Sequence, residues 1–305
     1  MRPGVVIHIG PPKTGTTSLQ VALEQVTFPE LFFGGTFQPR DRNAGSLSQA
    51  LYRICTDDTE TKSGLQSFRE ELRRLVGGGR TVLLSEEMFL LEQEQISMEQ
   101  KIVRLREALA GFDCRILISA RSGASALPSL YQEIFASLPF TLQKSFADFC
   151  RDARASCYDY SWICDLLKSV GFAEIIVFDF EDLARGDLRL GALVGLVCYD
   201  DFKLSVERHN VGSTAGKESE RTLPKVSLKS ALGSATVRRV INSLGVRSWP
   251  GYRRLVNLLE SIELLPSGGR QLIVPGNVAE RMDRSYQEAL TRYDRMPSEN
   301  SAPGT

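Results

Sequence analysis

Several things are scarce in this chain, and each scarcity excludes a class of protein. No apolar run approaches the ~18 residues that a membrane helix requires, so no membrane-spanning segment is expected. Charge of either sign is not in excess: 37 Lys+Arg balance 37 Asp+Glu. Nothing in that balance calls for nucleic acid or an anionic membrane as partner. There are six cysteines but no C-x-x-C. Cys150, Cys157 and Cys164 recur every seven residues on what reads as one helix. Seven residues rise ~10.5 Å, too far for two thiolates to share a zinc ion or a disulfide. Reduced, buried cysteines are expected instead. Met1-Arg2-Pro3-Gly4 leads directly into a strand pattern, so no signal peptide is expected and the chain reads as cytoplasmic. There are only two histidines, His8 and His209, and no internal repeat.

What is present is an alternation. With 305 residues, 42% of them hydrophobic, the chain suits one large domain or one with an appendage. Apolar runs at 5–9, 81–84, 115–120 and 174–178, with a shorter one at 31–33, read as strands. Helical periodicity lies between them at 16–26, 46–55, 62–76, 97–110, 123–137 and 145–169. Strands separated by helices predict a three-layer α/β/α fold with a mostly parallel central sheet. Residues 1–210 are expected to form this core, and 211–295 a helical C-terminal extension of the same domain. That extension includes a mobile loop at 211–226 and helices at 234–245, 250–265 and 277–294. The stretch 296–305 is expected to be a disordered tail.

The most informative stretch is Gly10-Pro11-Pro12-Lys13-Thr14-Gly15-Thr16-Thr17-Ser18-Leu19-Gln20, between the first strand and the first helix. Strand, glycine-punctuated turn and helix form the layout of a phosphate-binding loop: backbone N–H groups turn inward, and the helix start adds unpaired donors and a positive dipole end. Gly10 and Gly15 keep the spacing of G-x-x-x-x-G-K-[ST], but Thr16 stands where the lysine belongs. The only lysine, Lys13, lies inside the loop. A cation moved toward the loop apex meets a different ligand atom from the terminal phosphate of ATP or GTP.

The run P-K-T-G-T-T-S-L-Q resembles the 5′-phosphosulfate loop of sulfotransferases that use 3′-phosphoadenosine 5′-phosphosulfate (PAPS). Farther on, Arg121 ends a strand and Ser129 lies on the next helix. In that family a similar arginine and serine hold the 3′-phosphate, a task that suits a two-pronged guanidinium and a hydroxyl donor. The resemblance implies a P-loop NTPase-like fold and transfer of a sulfuryl group from PAPS to a hydroxyl or amine, with no metal required. It implies that Lys13 offsets charge on the bridging oxygen, and that Thr14, Gly15, Thr16 and Thr17 hold the 5′-phosphate. Glu86 and Glu87, at a strand exit, are the candidate bases, with Glu87 ranked first because Ser-x-Glu recurs in similar bacterial sequences. His8 sits within the first strand, where a core histidine is the plainer reading. Arg208 to Ser213 resembles a segment that closes over the cofactor in some relatives.

The R-K-G-x-x-G stretch of cytosolic phenol and steroid sulfotransferases is missing, since Gly268-Gly269-Arg270 does not reproduce it. The expected acceptor is therefore a carbohydrate or glycolipid, its pocket built by loops near 34–60 and 205–275. Two other readings stand beside this one. A P-loop kinase or NTPase would use Ser85-Glu86-Glu87 as a magnesium-holding strand end. A non-catalytic protein would keep the nucleotide site and lack the base. The sequence gives no oligomeric state.

Overall fold

The computed structural model describes residues 4–36, 46–58, 62–93, 95–196, 224, 226–227, 263–265 and 271–293. These fall into two compact units. The first lies within Met1–Ser122, Cys157–Val211 and Asp283–Thr305, the second within Gly123–Ser156 and Gly212–Met282.

The first unit is built on five strands: β1 Val5–His8, β2 Leu31–Phe33, β3 Thr81–Ser85, β4 Cys114–Ala120 and β5 Glu174–Asp179. All neighbours pair in parallel, in the order β2-β3-β1-β4-β5. Helices flank the sheet, giving the three-layer α/β/α architecture expected from the alternation. The strand sequences show why. Val5-Val6-Ile7-His8 and Thr81-Val82-Leu83-Leu84-Ser85 are buried at every position, as continuous runs must be when helices cover both faces. Val6, Leu83, Leu117 and Ile176 share one core cluster with Leu19 and Leu23 of helix α1 (Thr16–Glu24). Val5 and Ile7, equally buried, face the other side by strand alternation.

The helices begin where sequence chemistry starts them. Ser46 caps α2 (Leu47–Thr56) by accepting from Gln49 N at 3.1 Å. Helix α3 (Lys62–Gly77) buries Phe68, Leu72 and Leu75, a stripe at helical spacing. Ser97 and Gln100 form a reciprocal capping box on α4 (Met98–Ala108), which packs against α2.

β1 occupies the middle of the sheet, with β3 on one side and β4 on the other. The chain changes sides between β3 and β4, so the carboxyl ends of these three strands border a switch point, where ligands of parallel sheets bind. The phosphate-type loop follows β1, Glu86 and Glu87 follow β3, Arg121 follows β4, and Phe180 follows β5.

In the second unit, α5 (Gly123–Ile134) is followed by short helices, α6 (Phe140–Lys144) and α7 (Phe146–Phe149). Tyr131 is their hub. Its ring lies 5.3, 5.0 and 5.0 Å from those of Phe135, Phe146 and Phe149, and its hydroxyl donates to the carbonyls of Leu142 and Gln143.

The structure departs from the sequence reading in two places. No single helix spans 145–169. Ser145 caps α7 and Asp159 caps a separate helix, α8 (Tyr160–Ser169), with the 3-10 stretch Ala153–Tyr158 between them. Each side-chain cap competes with helix continuation, because it satisfies N–H groups that a through-helix would pair. Cys150 therefore follows α7, Cys157 lies in the 3-10 stretch and Cys164 lies on α8, each of them buried. Near the end of the helix expected at 250–265, Glu263–Leu265 is instead a strand, antiparallel to Val226–Ser227, which lies at the margin of the expected loop. Leu265 precedes Pro266, whose ring disfavours helical backbone at the residue before it. The rest of 234–265, the Arg208–Ser213 segment, Cys198, Trp249 and the tail lie outside the described residues.

Among the described residues no helix is long and apolar enough to cross a membrane.

Candidate functional site

The loop after β1 is shaped by three carbonyl groups in a row. Pro11 O accepts from Thr14 Oγ1 at 2.7 Å, Pro12 O from the Tyr158 hydroxyl at 2.7 Å, and Lys13 O from Arg121 Nη1 at 3.1 Å. Because the peptide unit is planar and trans, each carbonyl opposes the next residue's N–H. Tying down the carbonyls of Pro12 and Lys13 thus turns the N–H groups of Lys13 and Thr14 away from Tyr158 and Arg121. The turn requires unusual backbone: Lys13 has φ 68°, and among the described residues no other non-glycine has positive φ. That conformation costs roughly 1–2 kcal/mol for a residue with a Cβ, and the three side-chain bonds hold it in place.

The two glycines are needed for space. A Cβ on Gly10 would lie 2.0 Å from Ser119 Oγ. Gly15, at φ 78°, would bring a Cβ within 2.8 Å of the Phe180 ring. Gly15 also heads α1, which has no side-chain cap and no acidic residue in its first turn. Gly15 has no side chain with which to cap the helix, so the first N–H donors and the positive dipole end of α1 are not met by its own N-cap residue. Thr16 there is buried, whereas Thr17 is exposed.

A buried chain of hydrogen bonds underlies the loop. Gln20 Nε2 lies 3.0 Å from Ser85 Oγ, Ser85 Oγ 2.8 Å from His8 Nδ1, His8 Nε2 3.2 Å from Ser119 Oγ, and Ser119 Oγ 2.7 Å from Thr14 Oγ1. Its direction follows from proton count. Thr14 gives its one hydroxyl proton to Pro11 O, so Ser119 donates to Thr14 and His8 Nε2–H donates to Ser119. Ser85 then donates to His8 Nδ1 and accepts from Gln20. The order of donors thus assigns His8 the Nε2–H tautomer. Burial lowers its pKa from 6.5 to about 3, so the ring is neutral. With both nitrogens committed to the chain, His8 is a structural part of the loop's floor, not a base.

The two candidate acids are separated by the turn after β3. Glu86 is buried, and its Oε1 accepts from Met88 N at 2.9 Å, capping the 3-10 turn Glu87–Leu90. Glu87 is half-buried, and its Oε2 accepts from Thr16 Oγ1 at 2.6 Å. The turn is held from below by Lys101 of α4, fully buried, whose Nζ donates to Met88 O and Leu91 O at 2.5 Å each. Burial lowers the Lys101 pKa from 10.5 to about 8, against the opposing pull of Glu92 and Glu86.

Arg121 completes the edge. Its guanidinium lies over the Phe180 ring, 4.9 Å from the centroid, while Nη1 reaches the loop. Its buried Nε has no hydrogen-bond partner among the described residues. The Tyr160 hydroxyl fixes the backbone, accepting from Arg121 N and donating to Arg121 O at 2.9 Å each. Burial raises the Tyr160 pKa well above 10, so this hydroxyl keeps its proton. The next residue, Ser122, donates to Asp283 at 2.7 Å.

Lys13, Thr14, Gly15, Thr16, Glu87 and Arg121 are therefore linked through direct contacts at the carboxyl edge of one sheet. Glu86 points into the turn. Ser129 lies half-buried on α5 of the second unit. Sequence reasoning missed Tyr158, Tyr160, Phe180, Ser119 and Lys101. Phe180 had a usable signal, since it follows a strand end as Arg121 does. The two tyrosines carried none: Tyr158 ends the 3-10 stretch and Tyr160 opens α8, and in either place a Tyr looks like any core aromatic.

An anion suits this constellation. The turned amides, the start of α1, Lys13 and the Arg121 guanidinium are donors or cations, and the Glu87 carboxylate bonded to Thr16 stands opposite them in charge. No protein-family model matches the chain, and no curated protein is significantly similar to it.

Proposed function

We propose that the chain is a PAPS-dependent sulfotransferase acting on a hydroxyl or amine acceptor, with a carbohydrate or glycolipid as the acceptor class. The observation that carries this reading is the bond from Arg121 Nη1 to Lys13 O at 3.1 Å. It joins the two motifs that would each grip one phosphate of a single adenosine nucleotide. PAPS supplies the sulfuryl group. In the balanced reaction the acceptor oxygen gains sulfur as the S–O bond to the nucleotide breaks, adenosine 3′,5′-bisphosphate leaves, and the acceptor loses a proton. Glu87 takes that proton on its carboxylate. Lys13 and the loop amides offset the negative charge at the leaving oxygen with fixed donors. Arg121, braced against Phe180, holds the second phosphate.

The contact between Thr16 and Glu87 also favours a second reading, because a hydroxyl beside a carboxylate is a usual setting for magnesium at an NTPase site. Against it, a threonine occupies position 16 and the loop cation is Lys13. A protein that binds the nucleotide without transferring sulfate is the third reading. Incubation with sulfur-labelled PAPS and a panel of carbohydrate and glycolipid acceptors separates them. Label in an acceptor supports the transferase. Magnesium-dependent ATP hydrolysis without label transfer supports the NTPase, and bisphosphate binding with neither activity supports the third reading.

A further inference from the structure

Tyr158 and Tyr160 stand two residues apart, and each fastens one half of the site. Tyr158 donates to Pro12 O in the loop at 2.7 Å. Tyr160 holds Arg121 N and Arg121 O at 2.9 Å each. Both side chains are fully buried. Between them Asp159 caps α8 and accepts from Ser285 Oγ at 2.8 Å, and Ser285 Oγ also accepts from Ser161 N at 2.8 Å. The segment is thus pinned at every residue, and from it two rigid phenols reach the two pieces of backbone that present Lys13 and Arg121. Two χ angles per tyrosine leave little slack.

We propose that Tyr158-Asp159-Tyr160 is a gauge that sets the spacing between the two phosphate grips, and so selects nucleotides phosphorylated at both the 3′ and 5′ positions. The proposal rests on the sulfotransferase reading of the site. Tyr158 positions the grip that a 5′-phosphate uses, and Tyr160 positions Arg121, which grips a 3′-phosphate and touches the loop only through its bond to Lys13 O. The two tyrosines therefore differ in what they do to ligand choice.

The test is calorimetric titration of the full chain, without magnesium, using adenosine 3′,5′-bisphosphate and adenosine 5′-monophosphate. Tyr158→Phe is expected to weaken both ligands to a similar degree. Tyr160→Phe is expected to weaken the bisphosphate roughly tenfold, as loss of a well-placed hydrogen-bonding group allows, and to weaken the monophosphate distinctly less, through the Arg121 bond to Lys13 O alone. Arg121→Gln should reproduce the larger loss for the bisphosphate, and adding Tyr160→Phe to it should cost nothing more. The ratio of the two affinities is insensitive to partial unfolding, because both refer to the same folded fraction. Equal losses for both ligands in Tyr160→Phe, or no loss, overturn the gauge while leaving the sulfotransferase reading intact. Wild-type protein that binds neither ligand overturns both.

Discussion

Thr16 Oγ1 donates to Glu87 Oε2 at 2.6 Å, joining the start of α1 to the turn that follows β3. The contact gives Glu87 and its neighbour Glu86 different duties. Glu87→Gln is expected to lower the rate of sulfuryl transfer by about 10²-fold or more, the usual scale for general base catalysis, while bisphosphate still binds. Glu86→Gln removes the charged cap on Met88 N and is expected to cost about 1 kcal/mol of stability with a much smaller effect on rate. Turnover and denaturant unfolding of both variants check the contrast. Equal rate losses would mean that the two acids have not been told apart.

Lys13 holds left-handed backbone at φ 68°, a conformation that suits glycine. Lys13→Gly is expected to match or exceed the wild-type melting temperature and to bind no bisphosphate. Lys13→Ala is expected to lose binding with no such gain in stability. Thermal melts with and without bisphosphate distinguish the two. A Lys13→Gly variant much less stable than Lys13→Ala would refute the claim that the loop is strained for function.

His8 gives the acid limb of stability a defined sign. Its unfolded pKa is 6.5 and its folded pKa about 3. Between those values the unfolded chain holds a proton that the folded chain lacks, so stability from this group falls as pH drops, by about 1.4 kcal/mol per pH unit. His8→Gln breaks the chain beneath the loop and is expected to be destabilised at pH 7. The deficit should shrink toward pH 4, where wild type loses the contribution the variant never had. Urea unfolding at both pH values measures the gap, and a constant gap would show that His8 titrates normally in the folded state.

Lys101 works in the alkaline range. Burial lowers its pKa from 10.5 to about 8, so between those values the unfolded chain binds the extra proton and stability from this group rises with pH. Lys101→Met is expected to abolish that rise. It should also slow transfer, because Met88 O and Leu91 O lose the donor that holds the Glu87 turn. Unfolding free energies at pH 8 and pH 10 and the transfer rate test both effects.

Much of this architecture was legible because its signals are local. Continuous apolar runs identified the strands, and the glycine spacing located the loop. The rule that parallel sheets bind at their carboxyl ends placed Glu87 and Arg121 on one edge. The brace around that edge was not legible, because it depends on long-range meetings. Tyr158 meets Pro12, Tyr160 meets Arg121 and Ser119 meets His8 across wide sequence separations, and no local pattern marks a hydroxyl by its eventual acceptor. The expected helix at 145–169 failed for a related reason: Ser145 and Asp159 have ordinary helix-compatible neighbours, and only their side-chain caps reveal the breaks.

The central claim is that the loop around Lys13 and the guanidinium of Arg121 receive two phosphates of one adenosine ligand. The most direct measurement is the melting temperature of the full chain in a chelator, titrated with adenosine 3′,5′-bisphosphate, for wild type, Lys13→Ala and Arg121→Ala. A saturable rise of several degrees at ligand concentrations well above Kd, abolished by either substitution, is the predicted result. No rise in wild type, or a rise that survives both substitutions, would contradict it.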